Sequence, residues 1–279
     1  MHTLILGAVA YDAKVVTIWD GFRAWFDQQG LEFDYILYTS YERQVEAHLA
    51  GHIHVAWNSP LAWIQAERAG RARGLTARAV AMRDSDRDLR SVIVTRADGP
   101  QTLQDLRGGT IGVGAGDSPQ ATMIPLDHLA AAGLDPGADV TVRRHDVLLG
   151  KHGDHIGGER DAVRALMRGE VDAACILDAN HLLFAREGTL PPDRTRVLAQ
   201  TGLYDHCNFT VYDEATGPGL QRFVDLLLGM RYDDPAVRPL LDLEGLRAWM
   251  PGRTEGYALL NRAVDRFGAL NAWLKQASG

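Results

Sequence analysis

Residues 90–125, RSVIVTRADGPQTLQDLRGGTIGVGAGDSPQATMIP, constrain this chain more than any other stretch. The β-branched run 90–95 reads as a strand, a helical turn follows at 102–106, and Gly108 and Gly109 close it. A second strand at 110–114 runs into Asp117 or Ser118 as a helix N-cap. Pro119 then takes the first helical position, where a missing N–H costs nothing. A glycine-bearing strand end that feeds a capped helix presents free N–H groups to an anion. An ordinary strand-to-helix turn has the same pattern.

The residues before this window alternate in the same way. Strand 3–9 is followed by helix 16–29, with Ile18, Phe22, Trp25 and Phe26 at helical spacing and Gly30 at its end. Strand 33–38 leads to a helix capped at Thr39-Ser40. Strand 52–57 breaks at Asn58-Ser59-Pro60 before a helix with Leu61, Trp63 and Ile64. This alternation predicts an α/β fold with a largely parallel sheet. Ligands in such folds gather beyond the carboxyl ends of the strands. Those ends carry Tyr11, Asp12, Thr39, Ser40, Trp57, Asn58 and Ser59, while Trp19, Trp25 and Trp63 lie on helical faces and read as core.

Beyond the window, helix 121–132, strand 140–144, helix 159–167 and strand 171–177 continue the pattern, with Asp178 at the end of the last strand. Between them, 145–158 is polar and glycine-rich. Its His145, His152, His155, Asp146 and Asp154 match no helix-borne metal spacing, so a solvated loop is expected. From Gly217 the signal is helical, with Leu220, Phe223, Leu226, Leu227 and Leu228 as a core face.

Several motifs here form a recognisable set. They are Leu103-Gln104-Asp105-Leu106-Arg107-Gly108-Gly109, Gly116-Asp117-Ser118-Pro119-Gln120-Ala121 and Pro125 in the window. Earlier come Tyr41 to Val45, Leu49-Ala50-Gly51 and 52–57 with Ser59-Pro60. Later come Gly158-Glu159-Arg160-Asp161-Ala162-Val163 and Arg168-Gly169-Glu170-Val171-Asp172-Ala173-Ala174. Together they resemble the phosphonate/phosphate ABC-transporter substrate-binding proteins over nearly the whole chain. The family's Ser-Thr-Ser-Gly loop is Ser118-Pro119-Gln120-Ala121 here, with two hydroxyls and one N–H gone. Its usual His is Arg160, and an Asp is His54.

The resemblance implies a type 2 periplasmic-binding fold: two α/β lobes joined by two crossing strands, with a ligand cleft between them. One lobe would be 1–90 plus 206–279 and the other 91–205. It implies a small anionic or polar ligand with no cofactor and no metal. Besides the strand-end residues, Ser118, Gln120, Thr122, Arg160, Asp161, Asp178 and Tyr204 would touch that ligand. An ABC transporter would be the partner if the protein is exported.

Composition excludes other classes. The net charge of −7, with no Lys/Arg cluster, argues against a nucleic-acid surface, and no apolar run reaches membrane-spanning length. Two cysteines, Cys175 and Cys207, write no disulfide framework. The start, Met1-His2-Thr3-Leu4-Ile5-Leu6-Gly7, has no basic segment or cleavage site. The expectation is a cytoplasmic protein, or a periplasmic one whose leader has been removed.

A second function is open on the same fold. Cytoplasmic lyases and decarboxylases resemble it too, among them the thiamine-pyrimidine and menaquinone-pathway enzymes and dihydroxyphthalate decarboxylase. In that case His206, Cys207 or Asp12 would move protons. Residues 206 and 207 adjoin on an extended segment, so their side chains are expected on opposite faces, with Cys207 a buried hinge residue and Cys175 core.

Overall fold

The computed structural model describes residues 3–153, 158–215 and 217–277. The chain opens with β1 (Leu4–Val9), α1 (Lys14–Gln28), β2 (Phe33–Tyr38), α2 (Tyr41–Leu49), β3 (Val55–Asn58), α3 (Pro60–Ala72) and β4 (Ala77–Arg83). It continues through β5 (Ser91–Arg96), β6 (Thr110–Val113), α4 (Ile124–Ala131), β7 (Thr141–Arg144), α5 (Glu159–Met167), β8 (Ala173–Leu177), α6 (Asp178–Arg186) and β9 (Thr195–Gln200). It closes with β10 (Asn208–Tyr212), α7 (Leu220–Gly229), α8 (Arg238–Glu244), β11 (Trp249–Pro251), α9 (Ala258–Phe267) and α10 (Asn271–Ala277).

The helices begin where their local chemistry stops the preceding loop. Ser40 accepts a bond from the Arg43 N–H at the head of α2. Ser59 accepts one from Ala62 at the head of α3, where Pro60 stands first. Along α1, Val15, Ile18, Trp19, Phe22 and Phe26 form one buried stripe.

Two compact units result. Met1–Arg87, Asp205–Tyr257 and Leu270–Gly279 make the first, and Asp88–Tyr204 with Ala258–Ala269 the second. The sequence reading assigns everything after 206 to the first lobe, whereas α9 groups with the second unit. Arg262 and Arg266 on α9 each donate through Nε to Asp127 of α4, at 2.7 and 2.6 Å, and Asp127 is buried.

The first unit holds a six-stranded sheet in the order β11-β4-β10-β3-β1-β2. The expected parallel pairing holds for β1 with β2 and β3. The sheet is mixed, however, because β10 runs antiparallel between β3 and β4. That strand arrives after the second unit's sheet is complete, so no βαβ crossover fixes its direction. An aromatic core of Trp19, Phe22, Phe26, Phe33, Phe209, Phe223 and Trp249 covers one face.

The second unit holds a five-stranded sheet, β7-β6-β8-β5-β9, also mixed: β6 is parallel to β7 and β8, and β5 antiparallel to β8 and β9. Apolar clusters around Val163, Leu166 and Phe184, and around Leu106, Leu126 and Leu129, cover it.

Candidate functional site

In the second unit, polar side chains converge beyond the carboxyl end of β6. The chain leaves that strand through Gly114 and enters a π turn, Pro119–Met123, before α4 begins. Ser118 caps the turn by accepting a bond from the Ala121 N–H at 3.2 Å. Gln120 donates from Nε2 to the Gly153 carbonyl at 2.8 Å, and its backbone carbonyl accepts the Ser91 hydroxyl at 2.5 Å. With that proton committed, the Tyr204 hydroxyl is the donor in its 2.8 Å contact with Ser91 Oγ. Ser118, Gln120, Thr122 and Tyr204 are all buried.

Glu159, the first residue of α5, completes this set. Its Oε2 accepts bonds from the Leu177 N–H at 2.8 Å and from Asn180 Nδ2 at 2.9 Å. Burial pushes its carboxyl up to about 8, although Asn180, Leu177 and the neighbouring Gln120 amide pull the other way. It is therefore largely protonated at neutral pH. Glu159 Oε1 and Gln120 Oε1 are both buried without a hydrogen-bond partner. Thr122 Oγ1 is also buried without a partner. The result is a group of hydroxyls, amides and a neutral acid, with no ionised carboxylate from Glu159 to repel an anion.

The loop after β7 closes onto the same turn. Asp117 Oδ2 accepts from the Gly150 and His152 N–H groups at 2.6 and 3.3 Å, and Gly116 donates to Asp146 Oδ1 at 3.0 Å. His152 is buried, which departs from the expected solvated loop, while Asp146, Val147 and Leu149 are exposed as that expectation has them. The carboxylates of Asp117 and Asp146, each accepting backbone N–H groups across the two segments, tie the loop to the β6 turn. Gly153 has a φ of +61°, and a Cβ there would lie 2.6 Å from Ser118, so only glycine permits this approach. Asp154 and His155 lie outside the described residues.

In the first unit, Asn58 belongs to a buried hydrogen-bond chain. Gln44 Nε2 donates to the Trp57 carbonyl and to Asn58 Oδ1, at 2.9 and 2.8 Å. Asn58 donates to Thr210 Oγ1, Thr210 to Asn208 Oδ1, Asn208 to the Tyr257 hydroxyl, and Tyr257 to the His206 carbonyl, at 2.7–2.8 Å. The successive bonds join Asn58 on β3 to Thr210 and Asn208 on β10, so the chain fixes β10 against β3. Gln44, Asn208, Thr210 and Tyr257 were not foreseen from the sequence, because their meeting depends on the Asn208–Asn58 register.

His206 and Cys207 precede β10. His206 Nδ1 lies 3.1 Å from Cys207 Sγ and 3.5 Å from Asp86 Oδ1. This corrects the expectation that the adjacent pair faces opposite ways, since alternation holds inside a regular strand and β10 starts only at Asn208. Asp86 also takes two bonds from Arg83, at 2.5 and 2.9 Å. Burial pushes the Asp86 carboxyl up, but Arg83 and His206 more than reverse it and hold it at about 2. A nucleophile–base–orienter relay uses both imidazole nitrogens. Here thiol and carboxylate converge on one, which does not build such a relay.

The other predicted residues are spread around these sets. Tyr11 is half-buried at the end of β1 beside Lys14, and Asp12 is exposed, with Oδ1 accepting the Lys14 N–H at 2.8 Å. Thr39 is exposed, while Ser40 and Ser59 serve as the helix caps above. Trp57 is core, 4.6 Å from the Phe209 ring and under the Arg83 guanidinium. Arg160 is paired with Glu187 and lies 4.7 Å over the Phe184 ring. Asp161 pairs with Arg164, and Asp178 opens α6 and accepts the Ala179 N–H. Cys175 is core, as expected, and burial pushes its thiol up to about 12.

Comparison with known proteins follows the same architecture. PhnD1 from Prochlorococcus marinus, solved in complex with methylphosphonate, superposes with a TM-score of 0.69 at 15% identity, covering 96% of this chain and 98% of that one. The binding protein of a phosphonate ABC transporter from Pseudomonas aeruginosa gives 0.63 at 12% identity, covering 99% and 97%. The aliphatic sulphonate binding protein SsuA from Escherichia coli gives 0.58 at 18% identity, covering 98% and 88%. These likenesses establish the type 2 periplasmic-binding fold. The family model described as "ABC transporter, phosphonate, periplasmic substrate-binding protein" matches residues 8–257, and the chain belongs to that family.

Proposed function

We propose that this protein binds a small oxyanion of the phosphonate or sulfonate class, unchanged, as the substrate-binding component of an ABC transporter. The observation that carries the reading is the polar set after β6. Thr122 Oγ1 is buried without a partner there, and Glu159 is held neutral beside Gln120. Oriented hydroxyl and amide donors at the head of a helix suit an oxyanion without a neighbouring cation. Membership of the family supports the transporter as partner. The family is described as periplasmic, and fractionation of expressing cells decides between that compartment and the cytoplasm.

Titration calorimetry with methylphosphonate, ethanesulfonate and inorganic phosphate tests the proposal. At least one should bind and raise the melting temperature, and Thr122→Val should weaken it about tenfold, the equivalent of one hydrogen bond. No response to any of the three defeats the reading. Mass spectrometry of the recovered ligand checks the rest, because a product lighter by water or carbon dioxide would make the protein a lyase or decarboxylase.

A further inference from the structure

We infer that Asp86, His206 and Cys207 form a binding site for a divalent cation of zinc type in the first unit. This inference is independent of the oxyanion reading. The three residues place a carboxylate oxygen, an imidazole nitrogen and a thiol sulfur within 4.8 Å of one another. Zinc–sulfur bonds of about 2.3 Å and zinc–nitrogen or –oxygen bonds of about 2.0 Å put tetrahedral ligand atoms roughly 3.3–3.6 Å apart. The observed 3.1 Å from Nδ1 to Sγ and 3.5 Å from Nδ1 to Oδ1 lie near that spacing, and the carboxylate–sulfur pair, within 4.8 Å, closes to it on binding.

The convergence of sulfur and carboxylate on one ring nitrogen, awkward for a catalytic relay, is what a shared ion requires. Mixed sulfur, nitrogen and oxygen donors favour zinc over magnesium or calcium.

The surroundings are those of a held ligand set. The His206 N–H donates to the Asp86 carbonyl at 2.8 Å, so the two ligands are tied through the backbone as well. The His206 carbonyl accepts the Tyr257 hydroxyl at 2.8 Å. Arg83 fixes the Asp86 carboxylate through both oxygens, and Oδ1, which accepts from Nη2, keeps a second lone pair for the ion. Arg83 is itself paired with Glu244, so its charge does not stand alone against a cation. On binding, the Cys207 thiol gives its proton to solvent and the thiolate coordinates the metal, while His206 coordinates as the neutral ring. Three protein ligands leave a fourth position for water.

Cobalt(II), a spectroscopic stand-in for zinc, tests the site on the full chain. One equivalent should give a sulfur-to-cobalt charge-transfer band that zinc abolishes and magnesium does not. Absence of the band overturns the proposal. Cys207→Ser should lose the band and Cys175→Ser should keep it; the reverse result also overturns it. Should Cys207→Ser fail to fold, X-ray absorption on the unaltered cobalt-loaded chain gives an independent answer. One sulfur and one imidazole in the first shell support the site, and a shell without sulfur refutes it.

Discussion

Arg253 holds Asp205 by two bonds, from Nε to Oδ2 and from Nη2 to Oδ1, each 2.6 Å long. The Asp205 side chain is fully buried, and its N–H donates to the Gly256 carbonyl at 3.0 Å. The pair thereby fastens the segment before α9 to the start of β10. Arg253→Ala leaves a buried carboxylate without its guanidinium. A loss of about 3 kcal/mol is expected in chemical denaturation, the low end for a broken buried pair because Arg253 is partly exposed. Gly256→Ala should be comparably damaging, since its Cβ would fall 2.1 Å from Asp205 Cγ.

Glu159 makes stability fall toward alkaline pH. Its folded-state carboxyl sits at about 8 against 4.5 ordinarily, so the folded protein holds a proton that the unfolded chain releases. The stabilisation is fully present below 4.5 and is lost as pH rises through about 8. Glu159→Gln keeps a neutral side chain of the same shape. It should flatten melting temperature against pH between 5 and 9, with a relative gain on the order of a few kcal/mol at the alkaline end.

His48 works in the opposite direction. Burial lowers its imidazole to about 4 from 6.5, and its ring lies 4.5 Å from that of Tyr212. The unfolded chain binds this proton more readily, so stability drops as pH falls from 6.5 through about 4. In His48→Phe the ring contact survives, and the acid limb of the stability profile should shrink in thermal melts between pH 4 and 7.

Thr210→Val breaks the chain of bonds between β3 and β10. Asn58 Nδ2 loses its acceptor and Asn208 Oδ1 its donor, both in buried surroundings. A cost of about 1–3 kcal/mol is expected for each stranded group. Hydrogen exchange should show faster opening of Asn208–Tyr212 than of the second unit's strands.

The sequence made much of the framework legible, for physical reasons. Helix α5 was expected at 159–167 and found at Glu159–Met167, because apolar spacing and Gly169 mark both its face and its end. Strand β4, ARAVAMR, went unseen because alternating small, basic and flexible residues carry little β signal. The site was less legible than the fold. Glu159 looks like an acid placed favourably in a first helical turn, and only the tertiary structure shows that it is sealed from water. The Cys207–His206 contact is hidden in the sequence because period-two alternation holds only inside a regular strand, and β10 starts at Asn208. Asn58 was singled out as a ligand residue, while its partners Gln44 and Thr210 are distant in sequence.

The placement of β10 also bears on how the protein emerges from the ribosome. All five strands of the second sheet lie between Ser91 and Gln200, so that sheet can assemble as one continuous stretch of nascent chain. The first sheet has its opening strands synthesised early, yet β3 and β4 have no strand between them until Asn208–Tyr212 is made. The first sheet thus begins before the second and is completed after it, with its edges open to chaperones or to mispairing in the interval.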